Sequence, residues 1–369
     1  CLPVWSLSLR TQAYSENPRK LRLRHLDVFY RFCDERFGLD SFDEAVSEGN
    51  AARTQDMVEA FYLDLTSDPQ YNTTVVQRWT TVRGFVQELA RRLALSSSDW
   101  SALSSALFAM GKMRTPMRGN FRFVRALPSI TLIDLLSIAN PSSPRNPFRG
   151  EPLRWRNWLI FNLLLLAGLR RGEAMLLRCD SLKRDVDPDT GKWVSWLDVT
   201  TSFEIDPRSS RPSMKTEHSH RQIPISADLA DLFEHYVAEC RSAHKDNAYL
   251  LTARSGAPLA AESISKVFVS LSAHLEPKAR KRFFDRSGGK ECVSPHDLRH
   301  TCATARYAMF MAHAPDRELA MQRMRAFFGW SEKSNMPALY ARAAIQEDLL
   351  RTWSDLFEQR TNLLRELKL

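Results

Sequence analysis

The chain has 369 residues, 44% of them hydrophobic, and a formal net charge of +9 at pH 7 that arginine mostly carries. This length allows two buried cores, and the positive charge favours a polyanionic partner such as nucleic acid. The most apolar stretch, residues 158–169, contains Asn162 and is shorter than the about 20 residues that a membrane-spanning helix needs. We therefore interpret it as a buried helix and expect no membrane partner.

The cysteines, at positions 1, 33, 179, 240, 292 and 302, form no C-x-x-C pair. This pattern excludes a dense disulfide framework and indicates a reducing cytoplasm. A nucleic-acid partner would place the protein at the nucleoid if the source is bacterial. The N-terminus lacks a basic region followed by an apolar run, so we expect no cleavable signal. The chain begins at Cys1 rather than at methionine, which leaves room for an upstream segment.

Apolar residues at helical spacing predict a compact helical domain over residues 1–115. In the first helix Leu26 and Phe29 share one face, and Gly38 ends it. The predicted helices cover residues 17–37, 53–65, 72–89 and 98–110.

Basic residues accompany the apolar faces of two of these helices, and the family resemblance described below implies that they contact DNA phosphates and the major groove. A solvated helix face is the alternative for each of them. The residues are Lys20, Arg22, Arg24, Arg78, Arg83, Arg91 and Arg92.

Residues 116–130 break the helical pattern with prolines, a glycine and several arginines, as a basic linker between two domains would. The second domain, residues 131–369, resumes with helices. Short apolar strands are predicted at 193–199, 201–205 and 222–225, and helices return from Ala227. The predicted fold class is therefore mainly α with one small antiparallel β-sheet (α+β).

A last helix is predicted over residues 344–369, with an apolar stripe at helical spacing. In a monomer this stripe would pack on its own domain, and in an oligomer it would anchor a neighbouring subunit. Its members are Leu349, Leu350, Trp353, Leu356 and Phe357.

Arginine, histidine and tyrosine residues follow one another in an order that suggests covalent chemistry on a phosphodiester. Arg170 follows the apolar helix, His296 and Arg299 lie in the segment 295–301, and Tyr340 precedes the last helix. Guanidinium groups can hold the non-bridging phosphate oxygens in fork geometry. A tyrosine hydroxyl, with an ordinary pKa of about 10, needs help to lose its proton, and His296 is our predicted acceptor.

The leaving 5′-oxygen must gain a proton, and Lys215 is the candidate general acid. It lies in a predicted turn before the strand at 222–225, where a solvated turn lysine is the alternative. His218 and His220 are predicted on a strand, with both side chains on one face. We interpret them as surface or DNA-facing histidines rather than metal ligands.

The segments 168–173 and 296–300, together with Tyr340, resemble the first box, the second box and the nucleophile of the tyrosine recombinases, also called phage integrases. The resemblance covers about residues 125–369. It implies an N-terminal core-binding domain and a catalytic domain that close on DNA as a C-shaped clamp. It further implies Tyr340 as the nucleophile, with Glu173 and His300 as supporting residues. The other catalytic positions would be Arg170, Lys215, His296, Arg299 and Trp330.

The resemblance implies a site-specific DNA recombinase of the integrase or transposon type. Such an enzyme breaks and rejoins DNA through a 3′-phosphotyrosine. No metal or nucleotide cofactor is implied, and the sequence contains no P-loop. The expected partners are DNA recombination sites, with a dimer on one site and a tetramer in the synapse. Exchange of the C-terminal helix, an accessory recombinase and a directionality factor are further expectations. The alternatives are a DNA-binding relative without catalysis, and a topoisomerase of type IB or a telomere resolvase.

Some features depart from the family pattern. Trp330 occupies a position where histidine is commoner, and an indole N–H is a donor with no acid-base role. The interval from Trp330 to Tyr340 is one residue longer than expected and contains Pro337. A charged insert at 276–282 and 287–290 has no family counterpart, and we predict either a DNA contact or a surface loop.

Zinc ligation is a separate alternative for the second box. Its four candidate ligands are close in sequence, but Pro295 suits a helix start that would place His296 and Arg299 one turn apart, as the recombinase box requires. The candidate ligands are Cys292, His296, His300 and Cys302.

Overall fold

The computed structural model describes residues 16–67, 72–93, 98–110, 126–201, 206–208, 211–212, 214, 217–242 and 247–341. Packing divides the chain into two units, Cys1–Phe121 and Arg122–Leu369. Lys215, the C-terminal helix predicted over 344–369 and most of the strand predicted over 201–205 lie outside the described residues.

The first unit contains helices α1 (Glu16–Phe37), α2 (Ser41–Ser47), α3 (Ala51–Ser67), α4 (Thr73–Leu93) and α5 (Ser98–Ala109). Gly38 ends α1 with a φ of 105°, a conformation that glycine adopts without strain. Asn72 caps α4, because its side-chain oxygen accepts the backbone N–H of Thr74 at 2.8 Å. The core is aromatic, with Phe29, Trp79 and Phe85 fully buried. The sequence predicted these helices except the short α2.

The second unit is also mainly helical. Its helices before the sheet are α6 (Ser129–Ala139), α7 (Glu151–Leu166) and α8 (Arg171–Leu176). Those after the sheet are α9 (Ala227–His235), which continues as a π turn, α10 (Ala261–Ala273), α11 (Pro277–Ser287), α12 (Pro295–Ala312) and α13 (Arg317–Phe328). Residues 336–341 form a further helical segment.

An antiparallel sheet of three strands in the order β1-β2-β3 lies in this unit. The strands are β1 (Leu182–Val186), β2 (Trp193–Val199) and β3 (Arg221–Ile225). Leu197 of the central strand pairs with Leu182 on one side and with Ile223 on the other. Leu197 and Ile223 are fully buried, so one face of the sheet joins the helical core. The predicted fold class, mainly α with a small antiparallel sheet, is confirmed.

Two local predictions need correction. The strand predicted for His218 and His220 is wrong, because residues Glu217–Ser219 form a turn of 3-10 helix before β3 begins at Arg221. The insert at 276–282 is not a loop, since it belongs to helix α11, which packs through buried Ala279 and Phe283. Throughout the described parts of the chain, every helix is too short or too polar to span a lipid bilayer.

Candidate active site

A sharp turn delivers Arg170 from the end of α7 to the start of α8. Gly168 in this turn has a φ of 60°, and a Cβ there would lie 2.5 Å from the ring of Phe328. Only glycine fits this conformation and this close approach. Arg170 then occupies the N-cap of α8, where its backbone N–H donates to Oε2 of Glu173 at 2.9 Å. The box therefore folds as a capping motif that orients both side chains.

Glu173 is the centre of the site. Its side chain is 2% exposed, and its carboxylate forms ion pairs with Arg170, with Arg221 at 3.0 Å and with Arg299 at 3.5 Å. Burial alone would raise the pKa of this carboxyl, but the positive charges of Arg221 and Arg299 outweigh it and hold the pKa below its usual value. Glu173 therefore stays ionised, and we call these four residues the arginine cluster.

Arg299 lies deepest in the arginine cluster, with 2% of its side chain exposed. One terminal nitrogen donates to the carbonyl of Gly168 and the other to that of Phe328, the latter at 2.8 Å. Burial lowers the pKa of this guanidinium to about 10, against the opposing effect of Glu173. Arg170 has 25% of its side chain exposed and is the more accessible of the two arginines. The bidentate grip of both arginines on a phosphate stays a prediction.

The helix that carries the second box, α12, begins at Pro295, as predicted. Ser294 and Asp297 form a reciprocal cap, and the ammonium of Lys290 lies 2.8 Å from the carboxylate of Asp297. Burial opposes ionisation of Asp297, but the hydrogen bonds from Lys290 and Ser294 prevail and lower its pKa. The charged insert thus supplies a lysine that anchors the start of the box.

Tyr340 lies against α12 and is 4% exposed. Its hydroxyl is 2.8 Å from Nδ1 of His300, and its ring stacks on that of Trp330 with centroids 5.4 Å apart. His296, one turn earlier, is exposed, and its ring centroid lies 4.4 Å from that of His300. The hydroxyl contact predicted for His296 is therefore made by His300, which the sequence suggested only as a supporting residue.

Trp330 connects the tyrosine to the arginine cluster. Its ring also stacks on Phe328 at 4.9 Å, and the guanidinium of Arg299 lies 5.8 Å from its centroid. The two stacking contacts and the cation-π contact fix the indole beside the nucleophile candidate. The structure thus brings six other predicted site residues together with His300. They are Arg170, Glu173, Arg299, Trp330, Tyr340 and, at the edge, His296.

Arg221 belongs to the site but was missed by the sequence analysis. The signal that could have found it is strand alternation, because Arg221 and Ile223 lie on the same face of β3 and Ile223 is fully buried. An arginine on the inward face of a strand needs a buried partner. Its partner is Glu173.

The predicted DNA-binding residues belong to the other unit. Burial, followed by the positive charges of Arg78 on α4 and Arg22 on α1, lowers the pKa of His25. Arg91 and Arg92 both form ion pairs with Glu88. DNA contacts by these residues stay a prediction, as they do for Lys20, Arg24 and Arg83.

Two of the four candidate zinc ligands make other contacts. Nδ1 of His300 faces Tyr340, and the sulfur of Cys302 lies 3.7 Å from the carbonyl of Leu166. Across the described ranges, no group of three or more histidine, cysteine or acidic side chains is placed to hold a metal ion.

With this geometry in place, comparison with known proteins defines the class. The family model described as the phage integrase family matches residues 135–347, which is more than half of the chain. The chain belongs to this family, the tyrosine recombinases, which are DNA-cleaving and DNA-rejoining enzymes.

Individual relatives are distant. The tyrosine recombinase XerC of Neisseria meningitidis serogroup C / serotype 2a is 24% identical over 269 residues, which are 69% of this chain and 74% of the relative. XerC of Neisseria gonorrhoeae is 25% identical over the same shares. Among solved structures, a lambda integrase dimer bound to a COC' core site matches 92% of this chain and 75% of its own, with 11% identity and a TM-score of 0.47. XerA recombinase matches 93% and 94%, with 15% identity and a TM-score of 0.39.

Proposed function

We propose that the chain is a site-specific recombinase in which Tyr340 of each subunit cleaves one DNA strand. The observation that carries this proposal is the contact of the Tyr340 hydroxyl with His300, 2.8 Å away, beside Trp330 and the arginine cluster. A phenol needs a proton acceptor to become a nucleophile at neutral pH, and the phosphate needs cations around it. Both requirements are met within one group of side chains.

In the first step, the Tyr340 oxygen bonds to the scissile phosphorus while the bond to the 5′-oxygen breaks. The phenolic proton passes to a histidine, and the contact distance favours His300 over His296 as the acceptor. The products are a 3′-phosphotyrosine and a 5′-hydroxyl, which takes its proton from Lys215. Because Tyr340 is 4% exposed, the segment 336–341 must shift toward the bound phosphate for this attack.

The arginines act on the phosphate oxygens. Arg170, the more exposed one, would bind a non-bridging oxygen directly, and Arg299 would act from its buried position through the field of a desolvated charge. Trp330 would donate its indole N–H to the phosphate. Because the phosphotyrosine bond retains the energy of the broken phosphodiester, a 5′-hydroxyl of another strand reverses the step without an external energy source.

Recombination between two duplexes breaks four strands, so four tyrosines are needed and a tetramer of this chain on two sites follows. Each site would hold a dimer. The basic residues of the first unit would contact the phosphates of the site. Arg22 and Arg78, whose charges act on His25, are two of these residues. The C-terminal segment beyond residue 341 would link the subunits, and an accessory recombinase or directionality factor would set the outcome.

The test is covalent capture. Wild type, Tyr340→Phe and the control Tyr307→Phe, which alters another buried tyrosine of the same unit, would be incubated with nicked suicide duplexes from the ends of the encoding element. We expect denaturing gels to show a protein–DNA adduct with wild type and Tyr307→Phe but none with Tyr340→Phe. An adduct with all three proteins would refute Tyr340 as the nucleophile.

Binding without an adduct in any of the three proteins would favour the non-catalytic relative. Relaxation of a single supercoiled plasmid without strand exchange between two sites would favour the topoisomerase alternative.

A further inference from the structure

Arg221 is the buried cation of this site that the catalytic scheme above does not use. Its side chain is 6% exposed, and it begins strand β3 on the inward face. Burying a guanidinium is costly unless every donor finds an acceptor and the charge finds a partner. Each nitrogen of the Arg221 guanidinium donates one hydrogen bond, and its charge is paired with the carboxylate of Glu173.

Each end of the Arg221 guanidinium contacts a different segment of the site. Nε donates to the carbonyl of Phe327 at 2.8 Å, near the end of α13, and a terminal nitrogen donates to the carbonyl of Ser219 at 2.8 Å. The other terminal nitrogen donates to Glu173 at 3.0 Å. One planar group thus joins the first box, the turn before β3 and the helix that leads to Trp330.

Gly329 shows how tightly these segments are joined. Its φ is 60°, and a Cβ there would lie 2.8 Å from the carbonyl oxygen of His218 and 2.9 Å from a terminal nitrogen of Arg221. The chain just before Trp330 therefore runs directly against the Arg221 side chain. A substitution of Arg221 should therefore alter the packing of the turn that positions Trp330.

The charge of Arg221 has a second effect. Glu173 is shared among three guanidiniums, and Arg221 is the strongest of the influences that lower its pKa. If Arg221 lost its charge, the carboxylate would be neutralised by Arg170 and Arg299 alone. The positive field that these two arginines offer to a phosphate would then fall, because a buried carboxylate at ion-pair distance is poorly screened.

We propose that Arg221 is a positioning residue for strand cleavage. This proposal rests on the proposed function. Arg221 balances the charge of Glu173 and holds the turn before Trp330, so that Arg170 and Arg299 direct their charge at the scissile phosphate. Arg221 itself touches neither the DNA nor the nucleophile. Its effect should depend on the charge of the substrate.

The experiment compares two suicide duplexes, one with an ordinary phosphodiester at the scissile position and one with a neutral methylphosphonate there. Adduct formation would be timed for wild type, Arg221→Gln, Arg221→Lys and the control Arg184→Gln, which alters an arginine paired with Asp231 and Glu234 at the sheet surface. Binding of both duplexes and thermal unfolding would be measured on the same proteins.

We expect Arg221→Gln to slow adduct formation about a hundredfold on the phosphodiester, the size of effect known for loss of one charge-stabilising group. On the methylphosphonate, which carries one negative charge fewer, the loss should be at least several times smaller. Arg221→Lys keeps the charge beside Glu173 and should recover most of the rate. DNA affinity should change less than about threefold for all variants, and Arg184→Gln should match wild type.

Equal losses on the two duplexes would overturn the inference, since general disorder of the site slows both reactions alike. Full activity of Arg221→Gln on the phosphodiester would overturn it as well. If Arg221→Gln does not fold, Arg221→Lys supplies the same comparison, and its smaller loss must again be greater on the phosphodiester. Failure of wild type to form any adduct would instead overturn the proposed function, and this inference with it.

Discussion

The hydroxyl of Tyr340 lies 2.8 Å from Nδ1 of His300, whereas His296, one helical turn earlier on α12, contacts the ring of His300. Sequence order alone would favour His296 as the partner of the tyrosine. The helix geometry reverses this order, because His300 faces the segment 336–341 and His296 faces outward. In the proposed reaction, His300 is therefore the nearest candidate to accept the proton of the Tyr340 hydroxyl.

Replacing His300 therefore tests the acceptor. We expect His300→Phe to slow adduct formation about a hundredfold, the lower end of the range for general acid-base catalysis, while DNA affinity is retained. Single-turnover rates on the suicide duplex are the measurement. His313→Phe, at an exposed histidine near the end of the same helix, is the control and should react as wild type does. A larger loss in His296→Phe than in His300→Phe would return the acceptor role to His296.

Glu173 should be the costliest single charge to remove from the site. Glu173→Gln leaves three guanidiniums without their shared carboxylate, and breaking such a buried ion pair lowers the free energy of unfolding by about 3 kcal/mol. Urea unfolding measures this change. The matched control is Glu234→Gln, whose carboxylate is exposed and pairs with Arg184, with an expected change below about 1 kcal/mol. Similar values for the two variants would contradict the central role of Glu173.

The turn before Trp330 should admit only glycine. In Gly329→Ala the new methyl meets the carbonyl of His218 and the guanidinium of Arg221, in addition to the strain of a positive φ. We expect a loss of about 3 kcal/mol of unfolding free energy. Gly191 has a similar φ, 66°, and open space around it, so Gly191→Ala isolates the strain and should lose about 1 kcal/mol. Thermal or urea unfolding of both variants would show whether the difference exists.

Acid should reduce the stability that Asp297 gives to the start of α12. The pKa of Asp297 is lowered from 3.8, so its ionised form stabilises the folded state above pH 3.8, and this stability is lost as the pH falls through the lower folded-state pKa. Asp297→Asn should therefore be less stable than wild type by about 2 kcal/mol at pH 7. The gap should narrow below pH 3.8.

The measurement is the free energy of unfolding of wild type and Asp297→Asn from about pH 2.5 to about pH 7, a range that brackets the titration of carboxyl groups. Asp285→Asn, at an exposed carboxylate of α11, is the control and should follow wild type throughout. A gap that stays constant with pH would mean that the carboxylate charge of Asp297 contributes nothing to the cap.

The sequence predicted most helices because their buried residues recur at helical spacing, and it predicted β2 to the residue. It missed β1 because that strand is exposed along nearly its whole length, so apolar and polar residues do not alternate there. It missed α2, which has only seven residues.

The site followed the same division. Arg170, Arg299 and Tyr340 could be identified from short sequence motifs, and in the structure they lie in one site. The contacts of Arg221 and His300 depend on residues 40 to 106 positions away in the chain, such as Tyr340, Glu173 and Phe327. Local sequence patterns cannot predict contacts between residues so far apart in the chain. Strand alternation would have marked Arg221 as inward-facing, but it could not have named Glu173 as the partner.

Charge balance gives the arginine cluster a further meaning. Among the described side chains of the cluster, three guanidiniums surround one carboxylate, which leaves two positive charges in excess. A phosphodiester brings one negative charge, and its pentavalent transition state brings about two. In the proposed reaction, the excess charge of the arginine cluster would thus be fully neutralised only while the phosphorus is being transferred. A protein interior tolerates net charge poorly, so this cluster is best matched by the least stable species on the reaction path.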